Sequence, residues 1–202
     1  MPEITAAMVK ELRDATGAGM MDCKRALIEA DGDAERATEI LREKGLASQA
    51  KRAGRSANQG LVDSYIHFNN TVGVLVEVNC ETDFVANTDE FRALVKDLAL
   101  HIASPSAPRW LSRDDVPTES LEHERKIFEA QARESGKPDD VIPRIVEGKL
   151  EAYLKDNVLL DQAFVKDDAK TIQQLLDEVG AKTGEKVAVR RFTRYRLGED
   201  PE

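Results

Sequence analysis

Apolar positions in this chain follow two periods, and the changes between them mark out the elements. Over residues 5–45 the spacing is helical and is interrupted twice. Met8, Val9 and Leu12 make one stripe, Met20, Cys23, Ala26 and Leu27 a second, and Ala37, Ile40 and Leu41 a third. The interruptions are Thr16-Gly17-Ala18-Gly19 and Asp31-Gly32-Asp33. Thr5 and Asp33 are placed to cap the first and third helices, with Ile4 and Val9 as a hydrophobic staple. Gly45 sits where a left-handed cap is expected to end the third. Met20 and Met21 are adjacent, and neighbours on a helix diverge by about 100°. Either one of them lies near the surface as an adaptable apolar contact, or both fill gaps in a small core. The glycines of the first turn allow it to be tight and its backbone approachable.

Residues 47–58 are small and polar, with basic side chains at Lys51, Arg52 and Arg55, and read as a linker or a helical extension. From residue 60 to 80 the period drops to two. Val62, Ser64, Ile66 and Phe68 alternate with Asp63, Tyr65 and His67, and Asn69-Asn70 suits a tight turn. Val72, Val74, Val76 and Val78 then share one face of a second strand. The alternation stops at Cys80, and Phe91, Leu94, Val95, Leu98, Ala99 and Ile102 resume helical spacing. Thr82-Asp83-Phe84-Val85-Ala86-Asn87 thus occupies a corner between a strand and a helix. One reading has Thr82 or Asn87 capping a helix and Phe84 entering the core. The other has the corner display a carboxylate and an aromatic ring outward, held by rigid elements on both sides.

Beyond Ile102 a loop, Pro105 to Pro117, holds the single tryptophan, Trp110. Thr118 is placed to cap a helix toward Ser135, with Leu121 and Phe128 inward. A second helix carries Ile142, Ile145, Val146, Leu150, Tyr153 and Leu154 on its buried stripe, and Leu159–Val165 continues irregularly. Thr171 and Gln174 form a capping-box pattern for a helix that Gly184 stops, and Lys186–Arg196 reads as a last strand. The predicted class is α+β. A UBA-like three-helix domain spans 1–46 and a linker 47–58. A core spans 59–202, with a small antiparallel sheet packed against helices and a helical excursion over about 105–168.

Charge narrows the chemistry. The formal net charge is −9, and residues 1–58 balance at ten basic against ten acidic, so the excess lies in the core. That opposes a nucleic-acid binder, which needs a basic footprint. Arg190, Arg191, Arg194 and Arg196 read better as a basic edge strand beside acidic neighbours. No apolar run is long enough to span a membrane, and the start of the chain lacks the basic and apolar regions of a signal peptide, so a cytoplasmic protein is expected. Cys23 and Cys80 stand at apolar phases without a CxxC pair, and His67, His101 and His123 are scattered. Buried free thiols are expected, with no metal or cofactor of the protein's own.

Two strings carry a family resemblance. TDFVAN, Thr82 to Asn87, after a valine-rich strand, and LRDATGAGMMDCKRAL, Leu12 to Leu27, closely resemble bacterial translation elongation factor Ts in order and spacing. LLDQAFVKDD and GEKVAVRRFTRYRLGE extend the likeness across the chain. The resemblance implies a short form that binds the GTPase EF-Tu and promotes GDP release by disturbing its Mg²⁺ site, with no covalent chemistry. It implies Thr82, Asp83, Phe84 and Val85 at the Mg²⁺-side contact, with Ala86 and Asn87 completing the corner. The N-terminal contact would comprise Leu12, Arg13, Thr16, Gly17, Ala18, Gly19, Met20, Met21, Asp22 and Lys24. Some short members pair two copies through the sheet, so a homodimer in a 2:2 complex is open. Two other readings stand beside this one: an adaptor that tethers partners through the bundle alone, and a thiol or hydrolytic enzyme using Cys23 or Cys80.

Overall fold

The computed structural model describes residues 4–16 and 18–199. The fold is α+β, with a helical bundle at the N-terminus and a small antiparallel sheet in the remainder. The chain divides into two compact units. Met1–Leu61, Val78–Ala93 and Leu176–Ala188 form one, and Val62–Glu77, Leu94–Leu175 and Val189–Glu202 the other.

In the first unit, α1 (Ala6–Thr16), α2 (Met20–Glu29) and α3 (Ala34–Ala53) make the bundle. Val9, Leu12, Cys23, Ala26, Leu27, Ala30 and Ala37 are its core, with Ile4, Met8, Ile40 and Leu41 packed at the edge. Thr5 Oγ1 accepts the Met8 amide at 3.3 Å, and the Asp33 carboxylate accepts those of Glu35 and Arg36 at 2.9 and 3.1 Å. These bonds satisfy donors that each helix start would otherwise leave orphaned. Met20 leaves the predicted stripe: it and Met21 are both exposed.

Gly45 does not end α3. The helix continues to Ala53, and Gly54 is its cap. A helical glycine costs about 1 kcal/mol relative to alanine. The residues after it repay that cost, since Ala47 to Ala53 contain no breaker and Arg52 bonds back to Ser48 Oγ at 2.6 Å. Further on, Gly60 has φ +146°, and any Cβ there would lie 2.1 Å from the Val78 carbonyl oxygen. Only glycine allows this close approach of two backbones.

The second unit holds most of a three-stranded sheet in the order β1 (Gln59–Ile66), β2 (Val72–Cys80), β5 (Ala188–Arg196). The β1–β2 turn passes through Asn70 at φ +57°, with the Asn70 amide on the His67 carbonyl at 2.8 Å. Val74 and Val76 face inward from β2. In β1 the apolar phase faces outward: Val62 and Ile66 are exposed while Tyr65 is half-buried, and in the turn that follows Phe68 is exposed while His67 is half-buried, joined to Tyr65 by a 3.0 Å bond. On β5, Arg191 pairs with Glu77 at 2.7 Å and Arg194 with Glu199 at 2.8 Å.

α5 (Asp89–Ile102) buries Leu94, Val95, Leu98, Ala99 and Ile102. α6 (Thr118–Glu134) and α7 (Ile142–Asn157) share a satellite core of Ala132, Ile142, Val146 and Leu150, against which Phe128 and Ile145 pack. Thr118 is the first helical residue of α6 and makes no cap; the N-cap position is Pro117. Proline's fixed φ suits a helix entry although it offers no capping side chain. A two-stranded antiparallel ribbon, β3 (Ala163–Phe164) and β4 (Asp167–Thr171), leads into α8 (Ile172–Thr183). There the predicted capping box is formed: Thr171 Oγ1 accepts the Gln174 amide at 3.2 Å and Gln174 Oε1 accepts that of Thr171 at 2.9 Å. Among the described residues no helix is long and apolar enough to cross a membrane.

One buried polar pair escaped the sequence reading. His101 is 3% exposed; its Nδ1 accepts the Val165 amide at 3.2 Å, so Nε2 carries the proton and donates to Gln162 Oε1 at 2.9 Å. Gln162 in turn donates to the carbonyls of Ser106 and Asp156. Burial pushes the imidazole pKa below its ordinary value of 6.5. The unfolded chain therefore takes this proton more readily than the folded one. Stability contributed by neutral His101 is full above pH 6.5 and is lost as pH falls through the lower folded value. Thermal melts from pH 7.5 to 5 are expected to show a shallower loss for His101→Gln than for wild type. The difference is at most about 1.4 kcal/mol per pH unit, one proton's worth. Parallel slopes in the two proteins would remove His101 as the cause.

Candidate functional site

The corner after β2 is built by short-range bonds. Thr82 leaves the strand in extended conformation and its hydroxyl accepts the Val85 amide at 3.4 Å, starting the single turn α4 (Asp83–Ala86). Asn87 ends that turn, its side-chain amide on the Asp83 carbonyl at 2.9 Å, and its Oδ1 accepts from Arg92 at 2.9 Å. Thr88 Oγ1 accepts the Phe91 amide at 3.2 Å and so begins α5. Inside the turn Ala86 is buried and Val85 half-buried, which anchors it.

Thr82 therefore caps, as one reading held, but Phe84 does not enter the core. Its ring is 83% exposed, with Asp83 exposed beside it. Leaving a phenyl side chain in water forgoes about 1.5–3 kcal/mol of burial. A single exposed apolar residue is ordinary. A large one at the apex of a braced turn is a better candidate for a contact with something else.

A second set of bonds reaches the corner from the turn after α8. Glu185 Oε2 accepts the backbone amides of Glu81 and Thr82, both at 3.0 Å, and its Oε1 accepts the Thr82 hydroxyl at 2.6 Å. In return Glu81 Oε1 accepts the Lys186 amide at 2.6 Å and the Arg55 guanidinium at 3.1 Å. The bond from the Lys186 backbone, and then Arg55, hold the Glu81 carboxyl below the usual glutamate range. The sequence alone gives none of these four residues a role at the corner. Lys186 also lies before the last strand, which begins at Ala188.

The N-terminal candidates divide. Leu12 is buried in the bundle core, and Thr16 is half-buried with its hydroxyl donating to the Leu12 carbonyl at 2.6 Å. Arg13, Gly19, Met20, Met21, Asp22 and Lys24 are exposed, and Ala18 is half-buried. Gly17 lies outside the described residues. Asp22 pairs with Arg25 one turn along α2. The turn borders a groove lined by Arg13, Gly19, Met20, Arg25, Leu41 and Lys44.

The cysteines are poor nucleophiles. Cys23 is fully buried and its thiol donates to the Ala18 carbonyl at 3.7 Å. Cys80 is also buried, donating to the Thr82 carbonyl at 3.1 Å. Burial and then the Glu185 charge push its pKa up, away from thiolate. Among the described residues no group of three or more His, Cys, Asp or Glu side chains is arranged to hold a metal ion.

Exposed apolar groups on braced turns are the equipment of a protein that works through contact with another macromolecule. Comparison with known proteins supplies the family: the family model described as "Elongation factor TS" matches residues 5–199, and the chain belongs to that family. It is 58% identical to elongation factor Ts of Thermoanaerobacter sp. (strain X514) over 196 residues, covering 97% of this chain and 96% of the relative. To that of Caldanaerobacter subterraneus subsp. tengcongensis it is 59% identical, covering 97% and 98%. To that of Fervidobacterium nodosum it is 54% identical over 197 residues, covering 98% and 100%. Its place is in the elongation phase of protein synthesis.

Proposed function

We propose that this protein catalyses nucleotide exchange on the GTPase EF-Tu without covalent chemistry. A factor that binds the nucleotide-free GTPase more tightly than the GDP-bound form weakens GDP by the same ratio, because binding couplings are reciprocal. The Mg²⁺ that ties GTPase side chains to the phosphates is the vulnerable point. It needs near-ideal octahedral coordination, so small displacements of its surroundings are costly. In this reading Phe84 is a wedge pressed between side chains near that ion, and Asp83 pairs with a basic group or backbone donor beside it. Arg13, Gly19, Met20, Met21, Asp22 and Lys24 grip the same GTPase from another side. The observation that carries the reading is the exposed Phe84 ring on a turn fixed at both ends. The protein brings no Mg²⁺ or nucleotide of its own; both belong to the partner.

Stopped-flow release of labelled GDP from EF-Tu tests this directly. Release is expected to accelerate with factor concentration and to saturate. A factor that binds EF-Tu but leaves GDP release at its spontaneous rate would instead be a tether, the adaptor alternative.

The outer face of the sheet supports a second copy of this chain as a further partner. Val62, Ile66, Leu75 and Tyr195 are all exposed there, with Phe68 exposed in the adjoining turn, and such a patch on an antiparallel sheet suits face-to-face packing with a like sheet. A two-fold arrangement would bring the same residues together from both copies. The complex with EF-Tu would then be 2:2.

A further inference from the structure

Glu185 and Thr82 are 103 residues apart, yet they make the densest polar contact at the corner. One carboxylate takes three donors: two successive backbone amides at 3.0 Å and the Thr82 hydroxyl at 2.6 Å. The same hydroxyl oxygen accepts the Val85 amide, so the carboxylate fixes the cap that starts the Phe84 turn. Charge-assisted bonds of this kind are about twice as strong as neutral ones.

The carboxylate is itself held. Gly184 at φ +74° turns the chain out of α8, and a Cβ on Gly180 would lie 2.9 Å from the Glu185 carbonyl oxygen, so the turn lies close over the helix. The Lys186 ammonium donates to the carbonyls of Ala53 and Arg55 at 2.7 and 3.1 Å, at the C-terminal end of α3. Arg55 donates to the Gly184 carbonyl and to Glu81, both at 3.1 Å. The end of α3, the turn after α8 and the Phe84 corner thus share one bonded node.

We propose that Glu185 is a positioning residue for exchange: it holds the Glu81–Thr82 backbone so that Phe84 is presented ready to wedge. The inference rests on the reading of Phe84 as the exchange wedge. An unlatched corner has to be ordered during the encounter, and misplacement by an ångström is enough to cost large factors in rate. The GTPase is still gripped through the bundle, so the loss falls on the maximal rate more than on the half-saturating concentration.

GDP release from EF-Tu, measured against concentration of the full-length variants, tests it. Glu185→Ala is expected to lower the maximal rate about tenfold while half-saturation stays within about threefold. Glu185→Gln keeps one acceptor oxygen and is expected to fall between Ala and wild type. A role in folding alone would instead shrink the active fraction, raising the apparent half-saturation and leaving the maximal rate intact. That outcome overturns the proposal. Should the alanine variant not fold, a full maximal rate for Glu185→Gln overturns it equally. Phe84→Ala, run alongside, separates the two claims. If it keeps the full maximal rate, the wedge is lost and the latch with it. If it is slow and Glu185→Ala is not, only the latch is lost.

Discussion

Phe84→Ala is expected to slow factor-stimulated GDP release from EF-Tu by roughly 30- to 150-fold, the equivalent of about 2–3 kcal/mol at a central aromatic contact. Folding should be untouched. The ring is 83% exposed and the turn beneath it is held by backbone and side-chain oxygens rather than by the phenyl group. Thermal stability should therefore move by no more than about 0.5 kcal/mol, as for other surface substitutions. Phe84→Leu retains apolar bulk and is expected to fall between. Stimulated release at the wild-type rate with the ring removed would sink the wedge outright, since no other apolar group on α4 is comparably exposed.

The second large effect concerns assembly. Light scattering is expected to find wild-type protein as a dimer at micromolar concentration and Phe68→Lys/Leu75→Lys as a monomer. Phe68 lies in the turn between β1 and β2 and Leu75 on the outer face of β2, at 87% and 50% exposure, so charging them should not disturb the core beneath. Losing two apolar contacts of about 2 kcal/mol each raises the dissociation constant by about three decades. A wild-type protein that stays monomeric at tens of micromolar removes the sheet-to-sheet pairing. The double variant separates a further question, because a monomer with full exchange activity would make dimerisation unnecessary to the GTPase contact.

How much of this was legible in the chain depends on the range of the interaction. Caps spanning three residues could be read: Thr5, Asp33, Thr82 and the Thr171–Gln174 box are all present. Faces were harder. A period of two separates Val62, Ile66 and Phe68 from Tyr65 and His67, but periodicity divides a strand into sides without stating which is covered. Phe84 posed the same problem, since a core aromatic and a displayed one leave identical local sequence. Gly45 misled because a glycine after a helical stripe is a stop signal only when the following residues do not favour continuing. Contacts such as Glu185 with Thr82, or His101 with Gln162, join distant residues by hydrogen bonds that impose no periodicity, and nothing local announces them.

The continuation of α3 past Gly45 bears on how this protein can be dissected. A fragment ending at residue 46 would stop in mid-helix and discard the Arg52–Ser48 bond, leaving a frayed end where the intact chain has two more turns. Cutting after Arg55 instead keeps every residue of that rod. Protease trimming should accordingly favour sites beyond Gly54 over any within Leu46–Ala53, and excision at the composition boundary would yield a poorer piece than excision at the helical one.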